Sequence, residues 1–274
     1  MESDPNKTNL PATNVGAQFY SLERPEPSPK YLELARAAPC RLDHPKKLLI
    51  VLDLNGTLLV RSRESYTSIA RPFVRKFLEY CLKHHCVAIW SSARRRNVGN
   101  MLADLFAPHE IPQLVTVWCR ENSRLGEFVD QKMQIYKQLQ WLWDDPMVNA
   151  SACTLRDTND LSTEKSVPEP CVWDQSNTVL VDDSLEKADS EPYNLLQVEE
   201  FKGDAGSSQG DVLGAVLAYI EDLAWERDVG SAIHYKPFEC TRSQGWNWLV
   251  GCPDFDNEQE RNLVARDTQQ EGER

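Results

Sequence analysis

Residues 46–57 read KKLLIVLDLNGT, and the fold follows from them. Leu48 to Leu52 form a short unbroken apolar run, bounded by two lysines on one side and by an Asp-Leu-Asn-Gly turn on the other. A run without polar alternation suits a strand buried on both faces, which is the habit of parallel sheets. Ligands bind such sheets at the carboxyl ends of the strands. The pattern therefore puts Asp53 where a binding edge is expected, followed by a tight Asn55-Gly56 turn.

The same alternation continues outward. RPFVRKFLEYCLKHH (71–85) has apolar spacing near 3.6, with a proline suited to a first helical turn. CVAIWSS (86–92) reads as a second buried strand and ARRRNVGNMLADLF (93–106) as a second helix. LVTVWCR (114–120) is a third strand and FVDQKMQIYKQLQWLW (128–143) a helix. NTVLVDD (177–183) is a fourth strand, NLLQVEEF (194–201) a fifth, and DVLGAVLAYIEDLAWE (211–226) a closing helix. Strands alternating with helices predict an α/β fold, a doubly wound parallel sheet with helices on both faces and no large cap domain.

Around this unit, residues 1–45 are polar and proline-punctuated. RPEPSPK (24–30) reads as an exposed linker and YLELARAA (31–38) as one short helix. Residues 46–230 form the expected domain, with 144–176 as a polar surface insertion. Residues 231–274 form a C-terminal extension, in which GWNWLVGCPDF supplies aromatic anchors and the last residues a charged tail.

Composition narrows the class. The 274 residues carry a formal net charge of −12, which argues against nucleic acid as a partner. No stretch has the ~20 apolar residues of a membrane span. The first twenty residues lack the apolar segment of a signal peptide and carry Glu2 and Asp4 without arginine, unlike a mitochondrial presequence. The expectation is a soluble intracellular protein of the nucleus or cytoplasm. The eight cysteines show no Cys-x-x-Cys and no Cys/His spacing, so they read as reduced, packed thiols rather than zinc ligands.

Four groups of residues carry candidate chemistry. Asp53, Asn55, Gly56 and Thr57 follow a buried strand; there a carboxylate can attack phosphorus among backbone N–H groups, although the same residues also make an ordinary strand-ending turn. Ser91 and Ser92 end another strand, as phosphoryl ligands or as a helix N-cap. Lys137 taken alone reads as a solvated helix lysine. Asp182 and Asp183 end a buried strand and are costly there unless a lysine or a cation compensates them, which makes Mg²⁺ the natural candidate. Arg94, Arg95 and Arg96 read as a solvated helical turn, or as a catch for acidic phosphopeptide flanks or an import factor.

As an ordered set, strand-Asp, strand-Ser, helix-Lys and strand-Asp-Asp resemble the four motifs of the haloacid-dehalogenase superfamily. KKLLIVLDLNGTLL, RPFVRKFL, CVAIWSSA, WCRENSRL, YKQLQWLW and NTVLVDDSLEKA resemble its FCP/SCP branch, the C-terminal-domain phosphatases and NLI-interacting-factor-like proteins. The resemblance spans about residues 46 to 225. It implies Asp53 as nucleophile, Ser91 and Ser92 on phosphoryl oxygens, and Lys137 neutralising phosphate and steadying Asp182. It also implies Mg²⁺ held by Asp53, the Asn55 carbonyl and Asp182/Asp183, Asp183 the more directly. A phosphorylated protein or peptide is the implied substrate.

Two departures stand against that pattern. Active members carry an aspartate two residues after the nucleophile as general acid and base, and here that residue is Asn55, whose amide cannot exchange a proton. Only LLVRSRESYTSIA (58–70) separates the first motif from Arg71, which is a flap rather than a substrate-gripping domain. Three functions stay open on these grounds. One is a slow Mg²⁺-dependent protein phosphatase; another is a non-catalytic binding module akin to the FCP-like presequence receptor of the mitochondrial translocase; the third is a small-metabolite phosphatase.

Overall fold

The computed structural model describes residues 24–61, 67–125, 129–130, 133–153, 172–203 and 212–239. Among these residues, seven strands and seven α-helices follow one another. The main sheet is built from β1 (Leu49–Leu52), β4 (Cys86–Trp90), β5 (Thr116–Trp118), β6 (Thr178–Asp182) and β7 (Leu195–Gln197), in the order β5-β4-β1-β6-β7. Every neighbouring pair is parallel, as the unbroken apolar runs require. The remaining strands, β2 (Leu59–Arg61) and β3 (Ser68–Ala70), form an antiparallel hairpin, the expected flap.

Because side chains alternate across a strand, β1 feeds two cores. Ile50 and Leu52 pack with α2 (Val74–His84), α3 (Arg95–Leu105), α6 (Val212–Leu223) and α7 (Val229–Tyr235). Leu49 and Val51 pack on the other face with α4 (Leu139–Trp143), α5 (Pro146–Cys153), Trp90, Trp118 and Trp173. On α2 the buried stripe is Val74, Phe77, Leu78 and Cys81, and on α3 it is Val98, Met101, Leu102 and Leu105. Both stripes follow the i, i+3, i+4, i+7 rule that predicts them. No helix of the described residues is long and apolar enough to cross a membrane.

Four expectations change. Among the described residues of 128–143, the expected helix is confined to α4. Lys137 lies in an extended segment ahead of it, its N–H donating to the Lys187 carbonyl at 2.6 Å. The helix begins only where the Glu191 carboxylate accepts the Leu139 N–H at 2.8 Å, a favourable charge for a helix start. Pro72 sits in the turn before α2 rather than in its first turn, because Phe73 adopts a left-handed φ of 68°.

Residues 24–30, read as a linker, are tied to the domain, and the helix expected from Tyr31 starts two residues earlier. Ser28 caps α1 (Pro29–Ala35) by accepting the Tyr31 N–H, and Arg24 pairs with Asp189 at 2.6 Å. Tyr31 is buried, and its hydroxyl accepts from the Tyr193 N–H and donates to Asn194 Oδ1. The expected polar insertion likewise contributes α5, whose Val148 and Ala152 pack with Trp173 in the second core. The aromatic anchors of 245–255, the charged tail, residues 1–23 and residues 154–171 lie outside the described residues.

Candidate active site

The chain leaves β1 for β4 and β5 on one side of the sheet, then crosses back to β6 and β7 on the other. This reversal opens a crevice at the carboxyl ends of β1, β4 and β6, the expected ligand position in such a sheet. Asp53 follows β1, Ser91 follows β4, and Asp182 ends β6. The crevice is a cleft of about 400 Å³ lined by Asp53, Asn55, Arg61, Ser91, Ser92, Asn97, Asp183 and Lys187, among others.

Gly56 makes the first loop possible. Its φ is +92°, and a Cβ there would stand 2.6 Å from Asp183 Oδ2, so glycine is demanded twice over. Its carbonyl accepts from the Phe201 N–H at 2.8 Å and from the buried Arg71 guanidinium at 3.0 Å. Its own N–H donates to the Leu59 carbonyl at 2.8 Å. That amide is thereby committed within the turn, and Gly56 serves the turn's conformation. Asn55 is exposed, and its Oδ1 accepts the Arg61 N–H at 3.0 Å, tying the turn to the β2–β3 hairpin.

Lys137 is fully buried and joins two strand ends. Its Nζ donates to Asp53 Oδ1 at 2.8 Å and to Asp182 Oδ2 at 2.5 Å. The solvated-lysine reading therefore fails, because the extended segment aims the side chain inward. A second ammonium, unforeseen from the sequence, completes the cluster. Lys187 Nζ lies 2.8 Å from Asp182 Oδ1, 3.1 Å from Asp183 Oδ1 and 3.5 Å from Asp53 Oδ2. Its only signal in the sequence was the four-residue spacing from Asp183, which a helical turn closes.

Ser91 is buried, and its Oγ accepts the Ala93 N–H at 3.3 Å, capping the turn that leads to α3. Ser92 Oγ is buried with no hydrogen-bond partner among the described residues. A buried hydroxyl without a partner in a cleft fits an acceptor that arrives with a ligand.

Burial raises the proton affinity of these carboxyls, and the lysines act against it. Burial pushes Asp182 upward, but Lys137 and Lys187 more than reverse this and hold it well below the usual carboxylate range. Burial, assisted by the Asp182 and Asp53 carboxylates, pushes Asp183 up to about 6 against the pull of Lys187. Lys187 is desolvated, yet the three carboxylates raise its pKa. Carboxylate oxygens of Asp53, Asp182 and Asp183 all lie within 4.8 Å of one another. An all-oxygen set of this kind suits a hard cation, and the Lys187 ammonium already occupies positive-charge space beside all three groups. The residues present therefore fit a divalent ion.

Chains of this kind are known. The profile of the NLI interacting factor-like phosphatases matches residues 48–230. An uncharacterized FCP1 homology domain-containing protein of Schizosaccharomyces pombe is 31% identical over 228 residues, covering 78% of this chain and 86% of its own length. Among solved structures, Fcp1, an essential RNA polymerase II CTD phosphatase, is 15% identical with a TM-score of 0.37 over 71% of this chain. This chain spans 53% of that Fcp1 chain. An uncharacterized protein from Listeria monocytogenes serotype 4b is 14% identical with a TM-score of 0.34, covering 62% of this chain and 97% of its own.

Proposed function

Because the chain belongs to the NLI interacting factor-like phosphatase family, a branch of the haloacid-dehalogenase superfamily, we propose that it is a slow Mg²⁺-dependent phosphomonoesterase acting on phosphoserine or phosphothreonine in proteins. The observation that carries this reading is Lys137. A fully buried ammonium clamps one oxygen of Asp53 and one of Asp182, across 84 and 45 residues of sequence. Three carboxylates and two ammoniums gathered in one crevice are weak evidence for stability and stronger evidence for handling charge.

The clamp also selects an attacking atom. Asp53 Oδ1 is held at 2.8 Å by Lys137, whereas Oδ2 has Thr57 Oγ1 and Lys187 Nζ only at 3.5 Å. Oδ2 is thus the freer oxygen to bond phosphorus while the ester oxygen departs. Water then breaks the acyl phosphate, releasing inorganic phosphate and restoring the carboxylate. Ser91, Ser92 and Lys187 would hold the equatorial phosphoryl oxygens, and catalysis rests on positioning and charge stabilisation. Bound to Asp53, Asp183 and the Asn55 carbonyl, with Asp182 behind, Mg²⁺ would offset the remaining negative charge.

Asn55 makes the turnover slow. No proton can pass from its amide to the leaving oxygen, and general acid–base catalysis is typically worth ~10²–10⁴-fold. Aryl phosphates, whose leaving groups need little protonation, should be hydrolysed better than alkyl ones. Asn55→Asp keeps an oxygen for the Arg61 N–H, so the turn should survive while the proton donor is restored. We expect at least about tenfold faster hydrolysis of phosphopeptides in Mg²⁺, abolished by Asp53→Asn. An Asn55→Asp chain that folds and binds Mg²⁺ yet hydrolyses no phosphate ester would turn the cleft into a partner-binding surface.

A further inference from the structure

The three consecutive arginines that open α3 do not share one fate. Arg94 pairs with Asp130 at 3.1 Å, and the Arg95 N–H donates to the Glu121 carboxylate. Arg96 instead lines a second groove of about 540 Å³, together with Arg61, Asn97, Asn100, Ala103 and Asp104. Arg61 and Asn97 also line the phosphate cleft, so the two spaces adjoin. Positions 96, 100 and 103 fall on one helical face at i, i+4 and i+7. From Arg96 to Ala103 that face runs ~10 Å, the reach of about three extended peptide residues.

Building on the phosphatase reading, we propose that the groove is a specificity subsite for an acidic side chain of the same peptide whose phosphate enters the cleft. The chain as a whole carries a formal charge of −12, which repels acidic peptides. The Arg96 guanidinium puts positive charge beside the cleft, and two amides offer hydrogen bonds without added charge. Asp104, also on the lining, sets a limit: the acidic residue belongs near Arg96, within two to four residues of the phosphorylated one. Neutral and basic flanks gain nothing there, so the subsite favours acidic-flanked phosphoserine or phosphothreonine.

Binding tests this without turnover. The full chain is titrated, in low salt and without Mg²⁺, into labelled phosphopeptides that differ only by Glu or Gln at each position two to four residues from the phosphoserine. At one or more positions the Glu peptide should bind roughly threefold more tightly, a preference that shrinks in 0.5 M salt. Arg96→Gln should erase the preference and Arg96→Lys should largely keep it, while Asn100→Asp should reverse it. Equal affinities for Glu and Gln at every position, or a preference that survives Arg96→Gln, would overturn the subsite. An acid preference without any phosphate hydrolysis, even with Asn55→Asp, would sink the phosphatase reading and leave the groove standing.

Discussion

Lys187 resolves the cost of two adjacent carboxylates at the end of β6, because its ammonium reaches Asp182, Asp183 and Asp53 at 2.8, 3.1 and 3.5 Å. That position sets it in competition with a divalent ion for the same negative field. Lys187→Gln should therefore strengthen Mg²⁺ binding by about tenfold, since a unit charge a few ångströms away is worth up to ~4 kcal/mol at an effective dielectric of 20. The same change should weaken inorganic phosphate, which loses a cation. Calorimetric titrations of both ions read this directly, and an unchanged Mg²⁺ affinity would mean that the lysine swings clear of the metal. The sequence pointed to Asp53, Asp182 and Asp183 because buried strands fix where their ends lie. It could not single out Lys187, since a lysine in a polar turn looks solvated until the sheet edge is assembled around it. Lys137 by itself looked the same, and only its place in an ordered set of motifs singled it out.

Among the elements, strands were legible because a short apolar run has few alternatives in a parallel sheet. The stretch 128–143 was not. Ile135, Leu139, Leu142 and Trp143 are all buried, and their spacing fits a helix equally well as an extended approach followed by α4. Tertiary demand decided: a fully buried Lys137 must reach in to the strand ends. The junction of α2 with β4 carries a testable device of its own. His85 Nδ1 accepts the Leu48 N–H at 3.3 Å, joining the helix end to the start of the sheet. Burial lowers its pKa to about 4 from 6.5, with His84 and Lys47 adding to the effect. Below pH 6.5 the unfolded chain takes up this proton before the native one does, so stability is complete above about 6.5 and is lost as pH falls towards 4. The loss should not exceed about 3 kcal/mol. Denaturant midpoints of wild type and His85→Leu, compared from pH 7 to 4, isolate it: the variant should start lower at pH 7 and fall less steeply. Parallel curves would show that His85 does not couple to folding.

For the whole molecule, a charged cluster sits at the meeting of two apolar cores, and the fold holds it there at a cost. Asp53 and Asp182 are buried, and the two lysines leave three carboxylates only partly neutralised. A ligand that binds the native site but not the unfolded chain stabilises by RT ln(1 + [L]/Kd). Millimolar Mg²⁺ at ten times its Kd would therefore contribute about 1.4 kcal/mol. In a domain of this size that is a rise of roughly 3–6 °C in melting temperature. Above its Kd the rise should keep growing by about 1.4 kcal/mol per tenfold Mg²⁺, whereas general screening of a protein of charge −12 should be reproduced by a monovalent salt of equal ionic strength. Asp183→Ala should abolish the part that exceeds the monovalent-salt control, because its carboxyl oxygens are the most exposed of the cluster. Lys187→Gln should move the onset of the rise to lower Mg²⁺. A shift of equal size and shape in Asp183→Ala would place the ion elsewhere, and the three carboxylates would then be balanced by Lys137 and Lys187 alone.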